Sequence, residues 1–356
     1  MTAPHASAST PSHAPVDVLV IGAGPVGLVV AIEVQRRGLT AVVADKGALV
    51  NSLVGYPTNM EFFSTPDLLE IGDHPFPTFG HKPLREEALD YYRRVAERER
   101  LDLRLGTRVT ALDGQAGDFH AHAETATGAV EIAARAVVVA TGFFDTPVRI
   151  GVPGEDLPHV GHYFKEPYGH AATDVLVVGA RNSSAKAALA LHRAGARVTL
   201  AVRGDALSPS IKYWIRPDLE NRIAEGSIRA LFGTTVAAIR AGEADLATPT
   251  GPETVRADAV YLLTGYRPDY PLLAMLGVPI GDDPARTPVY DEATMASGRA
   301  GVYLAGTVCG GLRTSRWFIE NGRDHARLIA ADLAVRQRGP EDRPVGLSSE
   351  RAAVIA

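Results

Sequence analysis

The stretch Val16–Asp45 constrains this chain more than any other. Its apolar, β-branched run Val16–Ile21 reads as a buried parallel strand. The run enters Gly22-Ala-Gly24-Pro25-Val26-Gly27, then a helical pattern ending at Gly38, then a strand Thr40–Ala44 that ends on Asp45. Gly22 allows the tight turn, Gly24 lets the backbone approach a pyrophosphate, and Gly27 brings helix and strand together. The helix N-terminus faces the phosphates. Asp45 is placed to accept hydrogen bonds from ribose hydroxyls. Strand, turn, helix, strand and acid in this order predict a dinucleotide site.

The pattern recurs. A strand Asp174–Val178 leads into Gly179-Ala-Arg181-Asn182-Ser183-Ser184, a helix through Ala194, and a strand Arg197–Val202. Only the first glycine, Gly179, is kept; Arg181 takes the second place and Ser184 the third, where its hydroxyl is expected near the phosphates. The second strand ends on Arg203, with no acid before Asp205. A guanidinium there suits a 2′-phosphate, so this copy is read as an NADPH site, with Lys212 as a second phosphate partner. Asp45 in the first copy suits an unphosphorylated ribose, as in FAD. Two sites of unlike ribose chemistry imply hydride transfer from an exchangeable NADPH to a tightly held FAD.

Three further strands end on small turns, at Thr141-Gly142, Thr264-Gly265 and Gly306-Thr307. The expected fold is therefore α/β, with two Rossmann-like domains of three-layer ββα type. An NADPH domain (151–269) is inserted into an FAD domain (16–150 with 270–338), through a breaker-rich linker around Pro147–Pro158. Residues 1–15 read as a disordered tail and 339–356 as a loosely held end. Between the motifs, Val50–Pro66 reads as a long functional loop, Arg85–Arg100 as a charged helix, Asp118–Ala133 as a hairpin or meander, and Trp317–Leu333 as a closing helix.

Composition removes other classes. With 46% apolar and 22% charged residues and a formal net charge of −5, the chain advertises no basic face for nucleic acid. It has no apolar run long enough to span a membrane, and its N-terminus has no signal-peptide pattern. One cysteine, Cys309, rules out an internal disulfide and a Cys-x-x-Cys pair, which fits a reducing cytoplasm. Cys309 lies three residues past Gly306, so it is a candidate redox partner of the flavin; the competing reading is a small buried residue. His159 and His162 are expected at the domain boundary, and no metal-ligand spacing is present.

At this point the chain resembles the two-dinucleotide flavoprotein reductases, including thioredoxin reductases. The finer resemblance is to the YpdA-like bacillithiol disulfide reductases. It rests on Lys46-Gly47 with Asn51-Ser52 and Tyr56-Pro57-Thr58, on Glu70–Asp73, and on Val152–His159 with His162–Lys165. Ser208-Pro-Ser210 with Lys212 and Trp214, and Phe318–Arg323, also carry it. The resemblance implies FAD, NADPH and a small-molecule disulfide substrate, in a soluble cytoplasmic homo-oligomer. Lys46, Asn51, Ser52, Val109, Thr141, Gly142, Gly306 and Thr307 join Gly22–Gly27 and Asp45 as expected FAD contacts, and Gly265 joins the NADPH site. Two positions depart from the pattern. Val26 stands where relatives commonly carry a cysteine, and Thr307 stands where flavoprotein relatives often carry an acid. The alternatives are a ferredoxin or flavodoxin reductase, a flavin monooxygenase, and a non-catalytic redox sensor.

Overall fold

The computed structural model describes residues 14–337; both expected tails lie largely outside them. In the first unit, β1 (Val16–Ile21), α1 (Pro25–Gln35) and β2 (Ala41–Ala44) form the expected βαβ. The segment expected to be loop is shorter on loop than the sequence implies. It holds α2 (Asn51–Val54), and α3 (Pro66–Leu69) follows directly. Helix α4 (Arg85–Arg98) buries Ala88, Tyr92 and Val95, while Arg93 pairs with Asp90 and Glu97 on its solvent face.

Strands β3 (Asp102–Arg104), β4 (Arg108–Gln115), β5 (Asp118–Thr125) and β6 (Gly128–Val139) follow. The second strand of the expected hairpin and the Val137–Val139 strand, separate in the sequence reading, are two halves of β6. Its first half pairs antiparallel with β5 and its second half parallel with β1. The alternating pattern of the first half gives way to a continuous apolar run where β6 becomes buried on both faces.

The second unit repeats the plan. Its strands and helices are β7 (Val160–Gly161), β8 (Asp174–Val178), α5 (Asn182–Arg193), β9 (Arg197–Ala201), α6 (Arg216–Ala224) and β10 (Ile228–Leu231). An antiparallel sheet of β11 (Thr235–Arg240), β12 (Gly242–Thr248) and β13 (Gly251–Ala257) precedes β14 (Ala259–Leu262). The parallel sheet runs β10-β9-β8-β14-β7. Its period of two sends alternate residues to opposite layers. Val175 and Val177 pack with Ala188 and Leu191 of α5, whereas Leu176 packs with Leu246 and Val255 of the antiparallel sheet. That alternation is the three-layer ββα arrangement.

The chain then returns through α7 (Tyr270–Met275) to β15 (Val302–Leu304), which pairs parallel with β6. The first unit's strands therefore run β3-β2-β1-β6, with β15 on β6's other flank and β5-β4 continuing from its first half. The single closing helix expected at Trp317–Leu333 is broken into α8 (Ile319–Gly322) and α9 (His325–Gln337). The break falls where Gly322 packs on the Gly306 backbone; a Cβ there would stand 3.1 Å from Gly306 Cα. Helix α9 lies along α1, and Ala326, Ile329, Ala330 and Leu333 join the core formed by β1 and α1.

Candidate active site

Parallel strands β1, β6 and β15 end side by side, and each runs into a glycine in the left-handed region: Gly22 (φ 112°), Gly142 (φ 65°) and Gly306 (φ 76°). The crevice beyond their carboxyl ends is lined by Gly22, Gly24, Pro25, Val26, Asp45, Asn51, Ser52, Thr141, Gly142, Gly306 and Thr307. Eleven expected contacts from three distant stretches thus meet in one cavity.

The glycine roles are physical. A Cβ on Gly27 would lie 1.9 Å from the Gly22 carbonyl oxygen, so α1 seats directly on the turn only because none is present. A Cβ on Gly24 would meet nothing within 4 Å, and Gly24 has ordinary extended angles (φ −73°, ψ 172°). That open cradle at the helix N-terminus fits a pyrophosphate, as does the Thr141 hydroxyl, buried with no hydrogen-bond partner among the described residues.

Asp45 anchors the adjacent loops. Its Oδ2 accepts from the Ala23 N–H at 2.7 Å and its Oδ1 from the Gly47 N–H at 2.8 Å. Burial pushes its carboxyl above the ordinary value against the pull of these two donors. Each oxygen retains a lone pair for a ribose hydroxyl. Lys46 does not reach inward as a free cation; its ammonium pairs with Asp145 at 3.0 Å at the cavity rim. Val109 sits in β4, 7% exposed, outside the residues lining the cavity. Sequence reasoning missed Phe144, Asp145, Tyr56 and Ile319 as lining residues. The available signal was position, because Phe143-Phe144-Asp145 directly follows the Thr141-Gly142 strand end. Phe144 also packs against Tyr56 from one side and against Tyr163 and Tyr266 from the other.

Cys309 is not brought to this cavity. It is fully buried within the Gly306–Gly310 turn, and burial raises its thiol far above the usual range, where a thiolate does not form. Val26, 8% exposed, packs against Gly306.

The second unit repeats the same turn plan at the ends of β8, β9 and β14. Gly179 (φ 143°) allows the turn, since a Cβ there would lie 2.6 Å from the Leu263 carbonyl oxygen; Gly265 (φ 107°) turns the chain beyond β14. Arg181 and Ser183 are exposed at the start of α5. The Ser184 hydroxyl, expected near phosphates, is 1% exposed; it accepts from the Arg181 N–H and donates to the Arg181 carbonyl oxygen. It serves the turn and the helix seat instead. Asn182 ties down the neighbouring loop: its Nδ2 donates to the Ser210 carbonyl and its Oδ1 accepts from the Lys212 N–H. Lys212 holds its ammonium over the Phe63 and Trp214 rings at 5.6 and 5.7 Å. Arg203 is exposed just past the end of β9 and forms no ion pair among the described residues.

The partners of the linker histidines lie within 151–269. His159 Nε2 lies 3.0 Å from the Arg240 carbonyl oxygen, and His162 is 3.5 Å from Glu155. No cluster of three or more potential metal ligands occurs among the described residues. No helix among them is long and apolar enough to cross a membrane.

Buried His325 lies behind the cavity and gives a pH prediction. Burial lowers its pKa from 6.5 to about 4. Between those values the unfolded chain binds a proton that the folded chain refuses, so stability is lost as pH falls through this window. The loss is on the order of 3 kcal/mol. Urea midpoints measured across the window should fall more steeply for the wild type than for His325→Asn.

With the geometry in place, comparison with known proteins is direct. Residues 19–306 match the model of the pyridine nucleotide-disulphide oxidoreductase family. Bacilliredoxin reductase Bdr of Bacillus subtilis is 41% identical over 90% of this chain and 98% of its own. The structure of bacillithiol disulfide reductase Bdr (YpdA) from Bacillus cereus superposes with a TM-score of 0.88 at 38% identity, covering 91% of this chain and all of that one. The Staphylococcus aureus counterpart gives 0.87 at 34% identity, over 91% of this chain and 99% of that one. Membership implies binding of a flavin and a nicotinamide dinucleotide. The chain belongs to the pyridine nucleotide-disulphide oxidoreductase family, in its Bdr (YpdA) branch, and is an oxidoreductase.

Proposed function

We propose that the chain is an NADPH-dependent FAD enzyme that reduces a small thiol disulfide, bacillithiol disulfide, in the cytoplasm. One observation carries the cofactor pairing. Two βαβ units of the same plan end in opposite charges, the carboxylate of Asp45 after β2 in the first and the guanidinium of Arg203 after β9 in the second. The first favours ribose hydroxyls and the second a 2′-phosphate. On this reading the units carrying Asp45 and Arg203 are the FAD and NADPH domains, with the boundaries expected from the sequence.

The substrate follows from the relatives, which are named for bacillithiol disulfide and bacilliredoxin. In the overall reaction NADPH gives up a hydride; with one further proton, its two electrons cleave one S–S bond and leave two thiols. A bound flavin supplies the two-electron chemistry linking donor and acceptor. The protein's own residues supply the rest. The Gly24 cradle and the α1 N-terminus receive the pyrophosphate, Asp45 orients the ribose, and Thr141 and Thr307 offer hydroxyls to the cofactor.

No thiol of this chain takes part in exchange with the substrate. Val26 has no sulfur, and Cys309 has neither access nor thiolate character. Cys309→Ala should therefore keep disulfide turnover within about twofold, and iodoacetamide should not label the native protein. A loss of activity beyond tenfold in a folded Cys309→Ala protein would restore Cys309 as a redox partner. The substrate assignment is tested by NADPH consumption with oxidised bacillithiol, ferredoxin, flavodoxin and oxygen offered separately. Turnover with bacillithiol disulfide should exceed the others; preference for ferredoxin or flavodoxin would overturn it.

A further inference from the structure

We infer that His325 is a positioning residue that fixes the Gly306–Thr307 turn against the flavin; this rests on the FAD reading of the first crevice. His325 opens α9, is 3% exposed, and lies outside the residues that line the cavity. Its Nδ1 accepts a hydrogen bond from the Gly306 N–H at 3.0 Å. An imidazole that accepts at Nδ1 carries its proton on Nε2, and Nε2 is buried with no partner among the described residues. The ring is thus committed to one task.

The turn it holds has little freedom in other directions. Gly306 has a left-handed backbone (φ 76°), and a Cβ on it would stand 3.1 Å from Val26 Cβ. From the side of α8, Gly322 closes on Gly306 Cα. Trp317 fixes the imidazole plane edge-on, with ring centroids 4.4 Å apart at 79°, and Cys309 Sγ lies 4.0 Å from Nδ1. The Gly306 N–H is therefore consumed behind the cavity, and its direction sets how Thr307 is presented in front. The Thr307 hydroxyl faces Gly142, 3.1 Å from where a Cβ would stand. The turn after β15 is thus tied to the start of α9 through one hydrogen bond to a neutral histidine.

This geometry also sets buried Cys309 and His325 beside half-buried Tyr290 and Trp317. The Tyr290 hydroxyl and the Trp317 indole N–H are buried atoms that lie close to one another. The group supports the turn rather than meeting the substrate.

Two substitutions separate positioning from packing. Asn places Oδ1 where Nδ1 stood and can still accept from Gly306, whereas Leu fills similar space with no acceptor. Without an acceptor the buried Gly306 N–H must find another partner, and FAD affinity falls to the extent that the turn shifts to find it. His325→Leu should raise the FAD dissociation constant of the apoprotein by about tenfold or more and alter the absorbance and circular dichroism of bound flavin. His325→Asn should stay within about threefold and keep the wild-type spectrum. The inference is overturned if the Leu protein binds FAD as the wild type does with the same spectrum, or if folded Asn loses FAD as completely as Leu. Should the Leu protein not fold, the Asn protein decides alone, with retained FAD and spectrum supporting the inference and their loss overturning it. A wild-type protein that takes up no FAD overturns the cofactor reading itself, and this inference with it.

Discussion

A Gly24→Val protein is expected to fold normally and to purify without flavin. Gly24 has extended angles open to any residue and empty space where a side chain would project. The substitution therefore costs the apoprotein little, about 1 kcal/mol or less from the weaker helix start. The same side chain would occupy the place of the pyrophosphate beside the α1 N-terminus. FAD affinity should fall by about a hundredfold or more, equivalent to about 3 kcal/mol of lost or displaced phosphate contacts. Gly27→Ala should behave in the opposite order. Its Cβ would overlap the Gly22 carbonyl at 1.9 Å, so the helix must move and the fold itself weakens. Comparing urea midpoints of the apoproteins with flavin-to-protein ratios after reconstitution separates the two effects. Gly24→Val retaining stoichiometric flavin would mean that the dinucleotide does not cross this turn.

Arg203→Ala should raise the KM for NADPH by about 10- to 100-fold while leaving that for NADH within about twofold. The guanidinium stands exposed at the end of β9, free to pair with a phosphate that only NADPH carries. A charged hydrogen bond of this kind contributes about 1.5–3 kcal/mol, which sets the range. Steady-state kinetics with both nucleotides gives the answer. Equal increases for NADPH and NADH would place Arg203 outside the 2′-phosphate contact and make Lys212 or Arg181 the next residues to replace.

Much of this was legible because local chemistry and long-range structure agree at the strand ends. A β-branched run, a glycine turn and an acid encode β1, its turn and β2 without help from elsewhere. The repeated run at Asp174 likewise encodes the second unit. Other features depend on packing that no local pattern announces. The length of β6 was hidden because one strand serves two sheets and changes its pattern halfway. The break before α9 coincides with the contact between Gly322 and Gly306, sixteen residues apart, which no local pattern shows. Ser184 shows how a polar side chain at a motif position can be claimed by its own turn. His325 carried no motif at all; only the fold brings it to the Gly306 N–H.

The central claim is that electrons pass from NADPH through bound FAD to a small disulfide without a thiol of this chain. Anaerobic single-turnover absorbance of Cys309→Ala holoprotein tests it most directly. The account predicts that one equivalent of NADPH bleaches the flavin and that bacillithiol disulfide alone then restores its colour, with two thiols released per flavin reoxidised. Flavin that stays bleached in the presence of the disulfide, while wild-type protein is reoxidised, would contradict it.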